Sequence, residues 1–537
     1  MAELAVPVGA RTDHRTWWFG FAAVATVSFS LYLIAPPHVP DLAAQTARAE
    51  AAREGAYLWW SGWFGGLSLP SYSIGGPWLM AHLGVGLSAA LAGTVACALA
   101  PMLFEGTRRP RAGAIIFAVE VFLNVLTGRV TFALGLAAAV VAAALLHRRR
   151  GRWAALAAVC SCLLSPLAGL WLGLIAVTVA IVDTTRRRAA VGMSAVLLTV
   201  AGAVALAFHE GTGTMDFPWW HVLVALIAIA TVAALCPERA IRVGAAVFAL
   251  ATIGAAVLPT AVGTNMMRLI WLGAGPVVLA TVRLPRVHRR VWRRALGTCL
   301  AALAMVWPVT DLGVQLARAA GPQAGREYYA SLLDELALRS RLAGPQALGQ
   351  RAEIVDPSTH WSAAYVAPTV PIARGWDRQA DRGANPFFYD GTLNRSNYRT
   401  FLDDLAVRWV ALPTQASLDF AAKAEADLVR SDLPYLQSVW RDARWEVFEV
   451  RGAKPLVRGA MLQDLGPDEI TFSTARAGTV ALQIRWSPLF ALDREGSEGK
   501  AGCVQARGPW TSVRVDGPGT YTLASRLHLP ADNGNCS

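Results

Sequence analysis

From Pro36 to Pro77 the chain reads PPHVPDLAAQTARAEAAREGAYLWWSGWFGGLSLPSYSIGGP, between one apolar run over residues 17–35 and another over 77–104. Three carboxylates (Asp41, Glu50 and Glu54) are followed by tryptophans and turn-forming glycines, all in a segment that the flanking runs place beside a membrane. A plain connector needs none of that chemistry. The segment therefore marks a membrane architecture with an aqueous working face.

Composition agrees. With 537 residues, 54% hydrophobic and 16% charged, the chain is too apolar for an ordinary soluble protein. Further apolar windows fall at 112–127, 130–147, 153–183, 189–208, 218–236, 240–258, 267–282 and 295–311. The window 153–183 is too long for one span and contains Ser165-Pro166, so it reads as two segments and the expected total is about 11 transmembrane helices.

Arginines set the expected orientation. Arg108, Arg109 and Arg111, then Arg148 to Arg152, Arg186 to Arg188, Arg239 and Arg242, and Arg283 to Arg294 fall in every second connection. Those connections and the N-terminus, with Arg11 and Arg15, are expected to be cytoplasmic. The reading is a multi-pass plasma-membrane protein whose loop 36–76 and whole region after 312 are extracytoplasmic. Residues 17–35 lack a small-residue cleavage site and read as a retained first helix. The net charge of +12 reflects topology and anionic membrane lipids; no aromatic-basic module accompanies it, so nucleic acid is not an expected partner.

Residues 1–311 thus form a transmembrane domain interrupted by the first outer loop. Residues 312–454 alternate helix-like stretches with short strands (AEIV, RWVAL, WEVFEV) and are expected to form an α/β domain. Residues 455–537 alternate short strands with turn residues, as a β-sandwich does. Cys503 and Cys536 are the only cysteines of this outer region, and a disulfide between them is expected in an oxidising compartment.

Several residues are candidates for chemistry. Pro40-Asp41 precedes a helical run that Gly55 ends, which puts Asp41 at the helix N-cap. Glu50 and Glu54 share a face with Arg48 and Arg53 nearby, a pattern that serves either a solvated charge face or a metal pair. Glu120 lies inside an apolar span with Asn124 one turn later, and a carboxylate there must be paired or face an aqueous cavity. Arg129 (in TGR) and Arg268 (in GTNMMR) sit at outer boundaries, where a guanidinium either clamps a phosphate or snorkels to the interface. Trp59, Trp60, Trp63 and Tyr72 offer flat faces to a sugar or lipid, against the competing reading of an interfacial aromatic belt.

Asp41-Leu42-Ala43, Trp63-Phe64-Gly65-Gly66, Pro70-Ser71-Tyr72-Ser73, Gly128-Arg129-Val130-Thr131-Phe132, Ser165-Pro166-Leu167-Ala168-Gly169 and Gly263-Thr264-Asn265 carry a family resemblance. Together with the order of one span, a large acidic outer loop, many spans and an outward domain, they resemble the GT-C superfamily of membrane glycosyltransferases. More closely they resemble actinobacterial multispanning proteins described by a 6-pyruvoyl-tetrahydropterin-synthase-related region, a label that implies no pterin chemistry. The 46 arginines against three lysines fit a high-GC bacterium.

The resemblance implies inverting transfer of a sugar from a polyprenyl-phosphate donor to a cell-envelope glycan or glycolipid. It also implies Asp41 as general base; the residues themselves make Glu50, Glu54, Trp63, Tyr72, Glu120, Arg129, Asn265 and Arg268 the candidates for substrate binding. The outer loop has no Asp-X-Asp pair, so neither metal nor other cofactor is expected. Two other classes remain: a transporter or flippase of a lipid-linked precursor, for which Glu120 and the break at Pro166 speak, and a noncatalytic envelope assembly protein, for which the outward tail speaks.

Overall fold

Prolines and glycines end the apolar windows where backbone geometry requires it. Pro110 and Pro166 each open a helix, where their missing N–H costs nothing. Gly84, at φ +86°, separates helix Gly76–Leu83 from helix Val85–Leu103. The computed structural model describes residues 8–208, 213–282, 290–496, 502–527 and 536. Contacts divide the chain into two units: residues 1–37, 83–207 and 214–316, and residues 38–82, 208–213 and 317–537.

The first unit is helical. Among the described residues, five helices are long and apolar enough to cross a membrane: Trp17–Ile34, Val85–Leu103, Val130–His147, Arg187–Ala207 and Arg239–Val257. Three apolar helices are shorter: Gly151–Leu164, Pro166–Val182 and Trp219–Leu235. The structure thus supports fewer spans by length than the sequence windows suggest. The window 153–183 shows why, since its break leaves helices of 14 and 17 residues, while a straight crossing needs about 20. Ser165 is extended there (φ −156°, ψ 108°), and its hydroxyl accepts from the Ala168 amide. Ser161 Oγ donates to Gly135 O at 2.8 Å, and a Cβ on Gly135 would stand 2.5 Å from that of Ser165. Helix Val130–His147 can approach the break only because position 135 lacks a side chain.

The second unit joins residues 38–82 to the C-terminal residues. Strands Arg351–Ile354, Val407–Pro413, Trp445–Val450 and Leu436–Arg441 form a sheet in that spatial order; the first pair is parallel and the others antiparallel. Two antiparallel sheets follow. One orders Gly502–Arg507, Trp510–Val515, Gly478–Arg485 and Val457–Arg458; the other orders Phe490–Arg494, Gly519–Ser525, Glu469–Thr474 and Met461–Leu465. Their alternating inward residues (Ile470, Phe472, Val480, Leu482, Val513, Tyr521, Leu523) share one core. Cys503 and Cys536 are joined by a disulfide.

That core includes Trp59 from the first outer loop, which is 2% exposed and meets the Phe490 ring edge-on at 5.2 Å. Trp63 is fully buried, and its Nε1 donates to Ala363 O at 3.2 Å. A Cβ on Gly375 would lie 2.2 Å from the Trp63 ring, so the glycine makes room for it. Trp59, Trp60 and Trp63 therefore pack the interior of this unit. The expectation that Trp63 presents a face to substrate is corrected by its burial.

Candidate functional site

In the helical unit, four elements surround a cavity of about 50 Å³. Helix Pro110–Leu126 contributes Glu120 and Asn124, one turn apart. Gly128, at φ +78°, turns the chain so that Arg129 stands at the cap of helix Val130–His147. Helix Asn265–Thr281 supplies Arg268 and Trp271, and helix Arg290–Ala319 supplies Trp307 and Asp311. The Trp271 and Trp307 rings are nearly parallel, at 6.3 Å.

The polar groups of this cavity are unevenly paired. Arg129 forks onto Asp311, its Nη1 donating to Oδ2 and its Nη2 to Oδ1 at 3.2 Å. The Arg268 guanidinium lies 5.1 Å from the centre of the Phe132 ring. Glu120 is 3% exposed, and neither of its carboxyl oxygens has a hydrogen-bond partner among the described residues. The same holds for both side-chain polar atoms of Asn124. A buried polar group without a partner costs roughly 1–3 kcal/mol. Four such atoms on one cavity wall mark a place where ligand or water completes the hydrogen bonding.

Of the residues expected from sequence, this cavity brings together Glu120, Arg129 and Arg268. Asn265 is not among its lining; it begins the helix that carries Arg268, and its Nδ2 donates to Ala261 O at 3.4 Å. Asp311 was missed, although a lone acid closing an apolar window is the same kind of signal that singled out Glu120.

The outer-loop candidates belong to the second unit. Helix Pro40–Arg53 has Val39 as its N-cap, Pro40 at its first turn and no side-chain cap bond. This corrects the placement of Asp41 at the cap: the proline occupies the first helical position and moves Asp41 one residue inside. Glu50 is ion-paired with Arg53. Glu54 is exposed, its carboxyl raised by partial burial and then by the Glu50 charge. Both carboxylates therefore behave as a solvated charge face. Tyr72 is 39% exposed, and its hydroxyl accepts from Gln45 Nε2 at 3.2 Å.

Arg48, read from sequence only as a neighbouring charge, is the buried anchor of this loop. It is 1% exposed and donates to Asp377 Oδ2 at 2.5 Å. Its guanidinium lies 4.2 Å from the Tyr72 ring centre and 5.1 Å from that of Trp63. Beyond it lies a buried ionic network. Arg374 bonds Asp381 (2.8 Å) and Glu425 (3.0 Å), and stands 3.7 Å from Glu353. His360 bonds Asp356 through Nδ1, lies 3.5 Å from Asp419 through Nε2 and stacks on Trp376.

No protein-family model matches the chain, and no curated protein matches it in sequence. Solved structures similar to it include the following two. One is the arabinofuranosyltransferase AftD from Mycobacteria, at 13% identity over 95% of this chain and 60% of that one, with a TM-score of 0.44. This chain thus spans 60% of that protein's length. The other is the archaeal oligosaccharyltransferase AglB from Archaeoglobus fulgidus in complex with an inhibitory peptide and a dolichol-phosphate, at 12% identity over 74% of this chain and 70% of that one, with a TM-score of 0.45.

Proposed function

We propose that this protein transfers a sugar from a polyprenyl-phosphate donor to a hydroxyl of an envelope glycan or glycolipid, at the outer face of the membrane. The observation that carries the reading is the cavity in which Glu120 and Asn124 hold four unpartnered polar atoms beside Arg129, Asp311 and Arg268. Guanidinium forks suit phosphate oxygens, and a carboxylate with an amide suits sugar hydroxyls. In the resting state Asp311 occupies Arg129. An arriving phosphate replaces that carboxylate as the acceptor, so Arg129 keeps a counter-charge when the site is empty.

In the proposed reaction the acceptor hydroxyl attacks the anomeric carbon from the face opposite the phosphate. The bond from that carbon to the phosphate oxygen breaks, and its electron pair leaves on the phosphate. Asp41 is the proposed acceptor of the hydroxyl proton as general base, a role that rests on its place in residues 36–76 and not on a distance to the cavity; within the cavity the guanidinium groups would stabilise the leaving phosphate.

The test is incubation of purified protein with radiolabelled polyprenyl-phosphate sugars, scoring transfer or donor hydrolysis. Donor turnover that falls on Arg268→Ala and Glu120→Gln is the expected result. Folded protein inert toward every donor would refute the transferase reading. Glu120 also favours one rival, a proton-coupled flippase, because an intramembrane carboxylate without a partner is what a proton relay uses. Movement of lipid-linked precursor across vesicles without any transfer would select it.

A further inference from the structure

A different cavity, in the second unit, is the largest of those described, at about 410 Å³. That lies within the range of small-ligand sites, roughly 300–1,000 Å³. One wall is helix Arg395–Asp404, where Ser396, Thr400 and Asp404 recur every fourth residue and line the groove. The row is about 12 Å long by helical rise, longer than one sugar ring. All three side chains belong to exposed residues. The lining also includes the partly exposed rings of Phe387 and Trp510.

Trp510 is held in place. The Arg485 guanidinium stands 5.3 Å from its ring centre, and Arg485 Nε in turn donates to Phe64 O at 2.9 Å. A Cβ on Gly65 would come within 3.2 Å of the same ring. A fixed aromatic face in the same groove as a row of two hydroxyls and a carboxylate matches a ligand with apolar C–H faces and a hydroxyl edge. A peptide strand would seek backbone partners that this side-chain wall does not offer. A polyanion would meet Asp404, while Arg485, the cation in the lining, is engaged by Trp510 and the Phe64 carbonyl.

We infer that this groove binds a short stretch of neutral glycan, its rings against Trp510 and Phe387 and its hydroxyls against Ser396, Thr400 and Asp404. The groove lies outside the proposed transfer cavity, and binding to it requires no lipid donor.

The test uses full-length protein in detergent and a panel of neutral linear oligosaccharides built from glucose, mannose, galactose or pentose units, with binding followed by titration calorimetry. At least one member should bind, with affinity reduced about tenfold or more by Trp510→Ala. Thr400→Trp, which fills the groove from an exposed helix position, should weaken binding similarly at an unchanged melting temperature; this variant decides the matter if Trp510→Ala does not fold. An absence of binding across the panel, or wild-type affinity in Thr400→Trp, overturns the inference. Donor hydrolysis measured on the same preparations reports separately on the transfer reading.

Discussion

Asp41 stands inside its helix, so its replacement separates two roles cleanly. Because Val39 is the cap, Asp41 is not the N-cap residue; Asp41→Asn takes away a charge near the positive helix end, worth roughly 0.3–1 kcal/mol. A general base lost at the same position should lower turnover by about a hundredfold or more. The expected outcome is that drop with a nearly constant melting temperature, and ordinary turnover in a transfer assay would remove Asp41 from the chemistry. Arg48 makes the opposite prediction. Its ion pair with Asp377 is almost fully buried, 2% and 11% exposed at the two side chains, so Arg48→Met strands a carboxylate and should destabilise by about 3–5 kcal/mol. Adding Asp377→Asn should restore much of that loss, because the stranded charge goes with it. Neither residue's setting was legible in the sequence: the cap lies two positions earlier than expected, at Val39 with Pro40 opening the helix, and the partner of Arg48 lies 329 residues away.

At the scale of elements, apolar windows and the Ser165-Pro166 break were readable because length, hydropathy and proline geometry are local properties. The sandwich strands were readable for the same reason, from alternation between turns. The aromatic run of the first outer loop was not. Tryptophans beside a membrane look alike whether they face lipid, sugar or a protein interior, and only the long-range fold shows that Trp59 completes the sandwich core. Trp59→Ala should therefore destabilise the second unit by about 3–5 kcal/mol, measured by thermal unfolding, whereas an interfacial belt residue would change stability little. The disulfide between Cys503 and Cys536 spans 33 residues. In the chain-entropy model its closure contributes roughly 3–4 kcal/mol, so Cys503→Ser together with Cys536→Ser should lower the same transition.

For the molecule as a whole, composition announced a membrane protein, but it gave no warning that the C-terminal residues bury a charge network. Such networks are assembled from residues far apart in sequence, each unremarkable alone, and here they make stability depend on pH. Glu425 is fully buried, and desolvation raises its carboxyl to about 7 despite the opposing Arg374 charge. Glu353 is pushed well up by burial and by the Glu425 charge. His360 loses solvation, which alone would lower it, yet the carboxylates of Asp356 and Asp419 more than offset that and raise it. All three groups hold protons more tightly folded than unfolded, so each contributes stability at low pH that is lost as pH rises through its folded value. Asp419 is depressed by its bonds to His360 and Arg378, and its contribution changes only below the ordinary carboxylate range. Between roughly pH 5 and pH 8 the sum therefore runs one way, and the melting temperature of the second unit should fall as pH rises. Glu425→Gln keeps the shape but cannot ionise, so it should flatten the part of that decline below about pH 7, leaving the later part to His360 and Glu353. A melting temperature that climbs from pH 5 to pH 8, or a Glu425→Gln profile that overlays the wild type, would show that the buried carboxyl ionises without cost and that Arg374 alone balances the network.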